Sequence, residues 1–119
     1  METPKIFESE YRFCCILWEH EPVKSTELVK LCREKLDWSK ATTYTVIKRL
    51  SERGVVKSED AVVTSLVSRE QAQTAAVDEL VEKTFAGSLP AFVAAFARRG
   101  LSETEAAELR RLIDAYTED

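Results

Sequence analysis

The run Ser39-Lys40-Ala41-Thr42-Thr43-Tyr44-Thr45-Val46-Ile47-Lys48-Arg49 puts five hydroxyl-bearing and three cationic side chains into eleven consecutive residues. Their chemistry is hydrogen bonding and charge rather than bond making. Wound as an α-helix, residues 40–53 send Thr43, Val46, Ile47 and Leu50 to one side. Ala41, Tyr44, Thr45, Lys48 and Glu52 fall on the other, with Thr42 and Arg49 at its margin. That second face is small, hydroxylic and basic. A helix lying in a DNA major groove needs such a face: small residues allow approach, and hydroxyl and cationic groups reach base edges or phosphates. Thr42, Tyr44, Thr45 and Lys48 are therefore read as groove contacts. Arg49 is read as a phosphate anchor or, alternatively, as an ion-pair partner of a neighbour such as Glu52. Ser39 and Lys40 lie at the helix start, where free backbone amides favour phosphate.

The residue inventory gives little to a catalyst. There is one histidine, His20, with no glycine-rich phosphate loop, no Cys/His metal cluster and no paired carboxylates in a pocket motif. The expectation is a protein that is not an enzyme, with no cofactor and no metal. Cys14, Cys15 and Cys32 are odd in number and lie in helical apolar patterns, which reads as reduced core thiols.

The elements that hold this helix follow from periodicity and stop signals. A first helix is predicted over about 8–19, with Tyr11, Cys14 and Trp18 at i, i+3, i+7, and Trp18 in the core. Pro22 ends it. A second starts at Lys24 or Ser25, with Leu28, Leu31, Cys32 and Leu36 on its apolar face. Asp37-Trp38-Ser39 breaks the chain, with Trp38 set to pack between helices or to touch backbone sugar. Ser39 caps the third helix, about 40–53, which ends at Gly54. Two β-branched runs follow, 55–58 and 62–66, joined by Glu59-Asp60-Ala61 into a hairpin. Three helices and then a hairpin is the order of a winged helix-turn-helix, with a generic small α+β module as the alternative. Lys57 and Thr64 on the hairpin flanks are further candidate DNA contacts, because the acidic tip itself would be repelled by phosphate.

Ser68-Arg69-Glu70-Gln71 and Ser102-Glu103-Thr104-Glu105 are capping boxes, and Leu89-Pro90 opens a short helix between the two segments they start. The expected fold is mainly α with a small β-hairpin: a DNA-binding domain over 1–67 and a helical dimerisation domain over 68–119. Val77, Leu80, Val81, Phe92, Phe96, Leu109 and Ile113 are the candidate dimer contacts, since three short amphipathic helices cannot easily bury all their apolar faces within a monomer; folding back onto the N-terminal domain is the alternative.

The chain has 119 residues, 45% of them hydrophobic and 32% charged, a composition for an ordered, helix-rich protein. Its net charge is −4, but residues 24–57 hold nine Lys and Arg against four acids, and 59–119 hold six against twelve. A basic segment thus carries an acidic tail. No run of 18–20 apolar residues predicts a membrane span, and the polar start of the chain lacks a signal-peptide pattern, so a cytoplasmic protein without membrane insertion is expected. A protein–protein interaction module on a winged-helix scaffold, without DNA, is the alternative reading.

Asp37 through Leu50, with Trp38-Ser39 ahead of a threonine-rich helix ending in Arg49-Leu50, resembles the signature of the BlaI/MecI/CopY penicillinase-repressor family. Glu10 to Trp18, Phe85-Ala86-Gly87-Ser88-Leu89, Phe96, Leu101-Ser102 and Glu108-Leu109-Arg110 extend the likeness over nearly the whole chain. The resemblance implies a homodimeric repressor of resistance or stress genes reading double-stranded, palindromic operator DNA. It also implies release by cleavage in the C-terminal part, after signalling by a membrane sensor metalloprotease or through its downstream protease. The family's Asn-Phe cleavage pair corresponds here to Ala95-Phe96. Ala41 and Tyr44 stand where family members often carry basic residues. The paired C-terminal cysteines of the copper-responsive branch have no counterpart.

Overall fold

The computed structural model describes residues 2–117. Helix α1 (Glu8–His20) buries Glu10, Phe13, Cys14, Ile16 and Leu17 on one face. It stops at Glu21, which is extended (φ −69°, ψ 147°) because the ring of the following Pro22 excludes helical geometry there. The Glu21 carboxylate then accepts hydrogen bonds from the Ser65 amide (2.8 Å) and hydroxyl, fixing the stop to a strand far along the chain. A two-residue strand β1 (Val23–Lys24) leads into α2 (Ser25–Leu36), which buries Ser25, Leu28 and Cys32 and ends at Asp37 in the left-handed region (φ 57°).

Helix α3 (Lys40–Glu52) begins as expected. The Ser39 hydroxyl accepts from the Thr42 amide at 3.1 Å, and Thr43, Val46, Ile47 and Leu50 are buried. Gly54, at φ 80°, supplies the left-handed residue after the helix that an L side chain resists. Strands β2 (Val56–Glu59) and β3 (Val62–Ser65) pair antiparallel through Asp60 and Ala61, both at positive φ (53° and 62°) as a type I′ hairpin turn requires.

The predicted hairpin is thus one part of a three-stranded sheet in the order β1-β3-β2, with Val23 opposite Val63 and Lys24 opposite Val62. Glu59, expected in the turn, belongs to β2. One sheet face carries Val23, Val56 and Val63 into the core. The other carries Lys24, Lys57 and Glu59 into solvent. Phe13, Leu17, Leu28, Leu50, Val55, Val56 and Val63 are essentially inaccessible, each contributing about 1.5–3 kcal/mol of burial. Trp38 stacks parallel to Phe13 (centroids 6.2 Å apart), so its role is packing between helices.

Helix α4 (Arg69–Thr84) opens with the Ser68–Gln71 capping box. The half-buried Trp18 donates its indole N–H to the Val67 carbonyl (2.9 Å), the Arg69 guanidinium lies over the Trp18 ring, and Ala72 is buried. Two compact units result, Met1–Ala76 and Val77–Asp119. The first runs past residue 67 because the opening turns of α4 pack with Trp18.

In the second unit, α5 (Leu89–Arg98) is capped by Ser88 and carries Pro90 in its first turn, where a missing amide hydrogen costs nothing. Helix α6 (Glu103–Tyr116) is capped reciprocally by Ser102 and Glu105. Phe92 meets Phe85 and Phe96 edge to face at 5.6 and 5.5 Å. Val81 is buried, whereas Val77, Leu80, Leu89, Val93, Leu112 and Ile113 are exposed.

Candidate nucleic-acid interface

Helix α3 turns one face into the core, so its opposite face must meet solvent. Lys40, Ala41, Thr42, Thr45, Lys48 and Arg49 are all exposed there. Among the described residues Lys40, Lys48 and Arg49 have no ion pair; Arg49 does not bridge to Glu52. The first turn of α3 holds no acid, so the positive end of the helix dipole and Lys40 together favour an anion. The Ser39 hydroxyl donates to Thr42 Oγ1 (3.0 Å) while accepting the Thr42 amide, so both hydroxyls are held at the helix start.

Two predicted contacts have intramolecular partners that the sequence did not announce. Tyr44 is only 37% exposed, and its hydroxyl lies 3.5 Å from the Oγ of buried Ser25. The Ser25 amide in turn donates to the Ala61 carbonyl in the hairpin turn (2.8 Å). Tyr44 therefore links α3 to the start of α2, and through it to the wing. Lys57, on β2, sits 2.8 Å from Glu59 on the same exposed sheet face. That contact holds the Glu59 carboxyl below the ordinary carboxylate range and raises Lys57 above the usual lysine range. Lys57 thus has an acidic partner on its own strand.

A second basic residue is spent on structure. Arg53, at the C-terminal end of α3, forms an ion pair with Glu10, donates to the Lys5 carbonyl (2.7 Å), and lies over the Phe7 ring. Glu10 is 5% exposed and also accepts from the Phe7 amide (2.9 Å). The signal was present in the sequence: Glu10 occupies the apolar stripe of Phe13, Cys14 and Leu17, and an acid at such a position needs a cation. Of the nine cations in residues 24–57, Arg53 and Lys57 are paired with acids; the other seven have no ion pair among the described residues.

Cys14 and Cys32 are buried and Cys15 is half-buried, all as free thiols. Burial, reinforced by neighbouring Cys15 and Glu10, pushes the Cys14 thiol up to about 12. Among the described residues no group of His, Cys, Asp and Glu is arranged to hold a metal. Among the described residues no single helix is long and apolar enough to cross a membrane.

The model of the penicillinase repressor family matches residues 6–115. The chain belongs to the penicillinase repressor family. The methicillin resistance regulatory protein MecI of Staphylococcus aureus is 25% identical over 118 residues, spanning 95% of this chain and 96% of MecI. An uncharacterised 16.5 kDa protein from the ptsI 3′ region of Latilactobacillus sakei is 28% identical over 121 residues, spanning 95% of this chain and 81% of that protein. The solution structure of the Bacillus licheniformis BlaI monomeric form, in complex with the blaP half-operator, superposes with a TM-score of 0.52 at 24% identity. The match covers 60% of this chain and 93% of the BlaI chain. The likeness is one of fold, a winged helix-turn-helix. In this member of the penicillinase repressor family the wing sheet has three strands and an acidic tip.

Proposed function

We propose that this protein is a homodimeric, sequence-specific transcriptional repressor that reads a palindromic operator with α3. The observation that carries the reading is the exposed face of Thr42, Thr45, Lys48 and Arg49, whose cations have no ion pair among the described residues. Thr42, Thr45 and Lys48 face base edges. Arg49, Lys40 and the capped start of α3 take phosphates. Ala41 keeps the approach close. Tyr44 sets the helix in place.

The second unit supplies the dimer contact in this reading. Val77, Leu80 and Ile113 are exposed, Phe92, Phe96 and Leu109 are half-buried, and Val81 supports them from within. Burying each exposed aliphatic side chain against a second copy would contribute about 1.5–3 kcal/mol before association costs. Release would come by cleavage at Ala95–Phe96, through a membrane sensor metalloprotease or a protease downstream of it. Both residues are half-buried inside α5, so that helix must open before the bond can enter a protease. The protein would act in the cytoplasm, where the operator is.

Titration of a fluorescent duplex from the gene's own upstream region, followed by anisotropy at several salt concentrations, tests the core of this reading. A dimer neutralising about 6–8 phosphates gives a log–log slope of about −5 to −7, with random duplex a poor competitor. Replacing Thr45 and Lys48 together by Ala should abolish the preference and leave the dimer folded. The acidic wing tip, Glu59-Asp60, favours a second reading, a protein-binding module. Binding that is shallow in salt and indifferent to sequence would select it.

A further inference from the structure

The wing turn has a fixed place beside the recognition helix. Tyr44 on α3 reaches Ser25 (3.5 Å), and the Ser25 amide donates to the carbonyl of Ala61 in the turn (2.8 Å). Two residues before Ala61 stands Glu59, and on its sheet face lies Lys57, its partner at 2.8 Å. Ser58, between them, points to the other face, so nothing separates the two side chains. Both are well exposed. A phosphate group that met this wing would find Lys57 already supplied with an anion.

We propose that Glu59 is an internal stand-in for phosphate: it occupies Lys57, and with Asp60 makes the wing a brake on sequence-independent grip. This rests on the DNA-binding reading and deepens it. Non-specific affinity is set by how many phosphates a protein neutralises, and specific affinity adds base contacts to that sum. Removing one cation per protomer from the phosphate count lowers binding to every sequence. A larger share of operator affinity then rests on the hydroxyl and cationic face of α3. The two wing acids act in the same direction, since each adds negative charge to the hairpin tip and so repels phosphate.

The test compares the full-length protein with Glu59→Gln, Lys57→Gln and the double variant, each checked for folding by circular dichroism. Every protein is titrated against the upstream duplex and a random duplex across a salt series. Wild-type protein is expected to bind with a steep salt slope. Glu59→Gln is expected to tighten binding to both duplexes and to steepen the slope by about 0.9 per protomer, or about 1.8 for a dimer. On that slope the gain over wild type grows about tenfold between 200 and 50 mM salt. Lys57→Gln alone removes the lysine and bares Glu59, so it should tighten binding to neither duplex. In the Glu59→Gln background it should erase the gain, which assigns the effect to the released lysine. Unchanged affinity and slope in Glu59→Gln, with the wild type binding DNA, overturns the brake and leaves the repressor reading standing. A wild type without salt-dependent DNA affinity overturns both.

Discussion

Replacing Arg53 by Met should be among the most damaging single changes outside the apolar core. The Glu10 carboxylate, its side chain 7% exposed, would keep only the Phe7 amide as a donor. Breaking a fully buried ion pair by removing one member costs about 3–5 kcal/mol, because the remaining charge is stranded. The Arg53 side chain is 30% exposed, so water already screens part of the interaction and the loss falls to about 2–3 kcal/mol. Glu10→Gln should cost less, about 1 kcal/mol: the amide oxygen still accepts from Phe7, and Arg53 keeps the Lys5 carbonyl and solvent. Urea unfolding followed by circular dichroism reads the difference. With a slope of about 1.5 kcal/mol per molar, Arg53→Met moves the midpoint down by about 1.5 M. The double variant, with no stranded charge, should be more stable than Arg53→Met alone. Arg33→Met is the control, an exposed cation with no ion pair among the described residues, expected to stay within about 0.5 kcal/mol of wild type. If Arg53→Met behaves like this control, Glu10 does not depend on Arg53 and the reasoning fails.

Three further outcomes are expected. Tyr44→Phe and Ser25→Ala should each weaken operator binding by a few fold with the salt slope unchanged, and the pair should be non-additive; additive losses would show that Tyr44 reads DNA rather than the start of α2. Ala61→Gly should raise the urea midpoint by about 0.5–1 kcal/mol of stability, since φ 62° strains an L residue by more than glycine's extra unfolded entropy costs, and Ala86→Gly (φ 51°) should act in the same direction. Cys14 holds its proton to about 12 while an unfolded thiol ionises near 9.0, so its share of stability is intact below pH 9 and is lost as pH rises from 9 towards 12. Cys14→Ala should lack that portion of the alkaline loss, and iodoacetamide at neutral pH should label half-buried Cys15 ahead of Cys14 and Cys32.

Local signals carried most of the fold. The stop at Pro22, the caps at Ser39, Ser68 and Ser102, and the 3.6-residue stripe of Thr43, Val46, Ile47 and Leu50 each act within a few residues, and each is where the sequence puts it. Strand β1 was not legible, because two residues between a proline and a helix make no alternating pattern; it exists only through its pairing with β3. The partners of Tyr44, Arg53 and Lys57 divide in the same way. Lys57 and Glu59 are two apart on one strand, so their contact follows once the turn is placed two residues long. Arg53 and Glu10 are joined across 43 residues, and only the misfit of an acid in an apolar stripe hinted at a partner. The basic character of Arg53 at the end of α3 does not by itself tell that it faces Glu10 on α1.

Trp18 and Trp38 both lie in the first unit, and no tryptophan follows Trp38. Indole fluorescence is therefore a private signal of the winged unit. Trp18, bonded to Val67 and covered by Arg69, watches the start of α4, while Trp38, stacked on Phe13, watches the joint between α1 and the entry to α3. Far-ultraviolet dichroism, by contrast, sums the helices of both units. Denaturation curves from the two probes will coincide if the protein melts as one cooperative body and will separate if it melts in pieces, so the natural chain can report on its own cooperativity without a dye or a label.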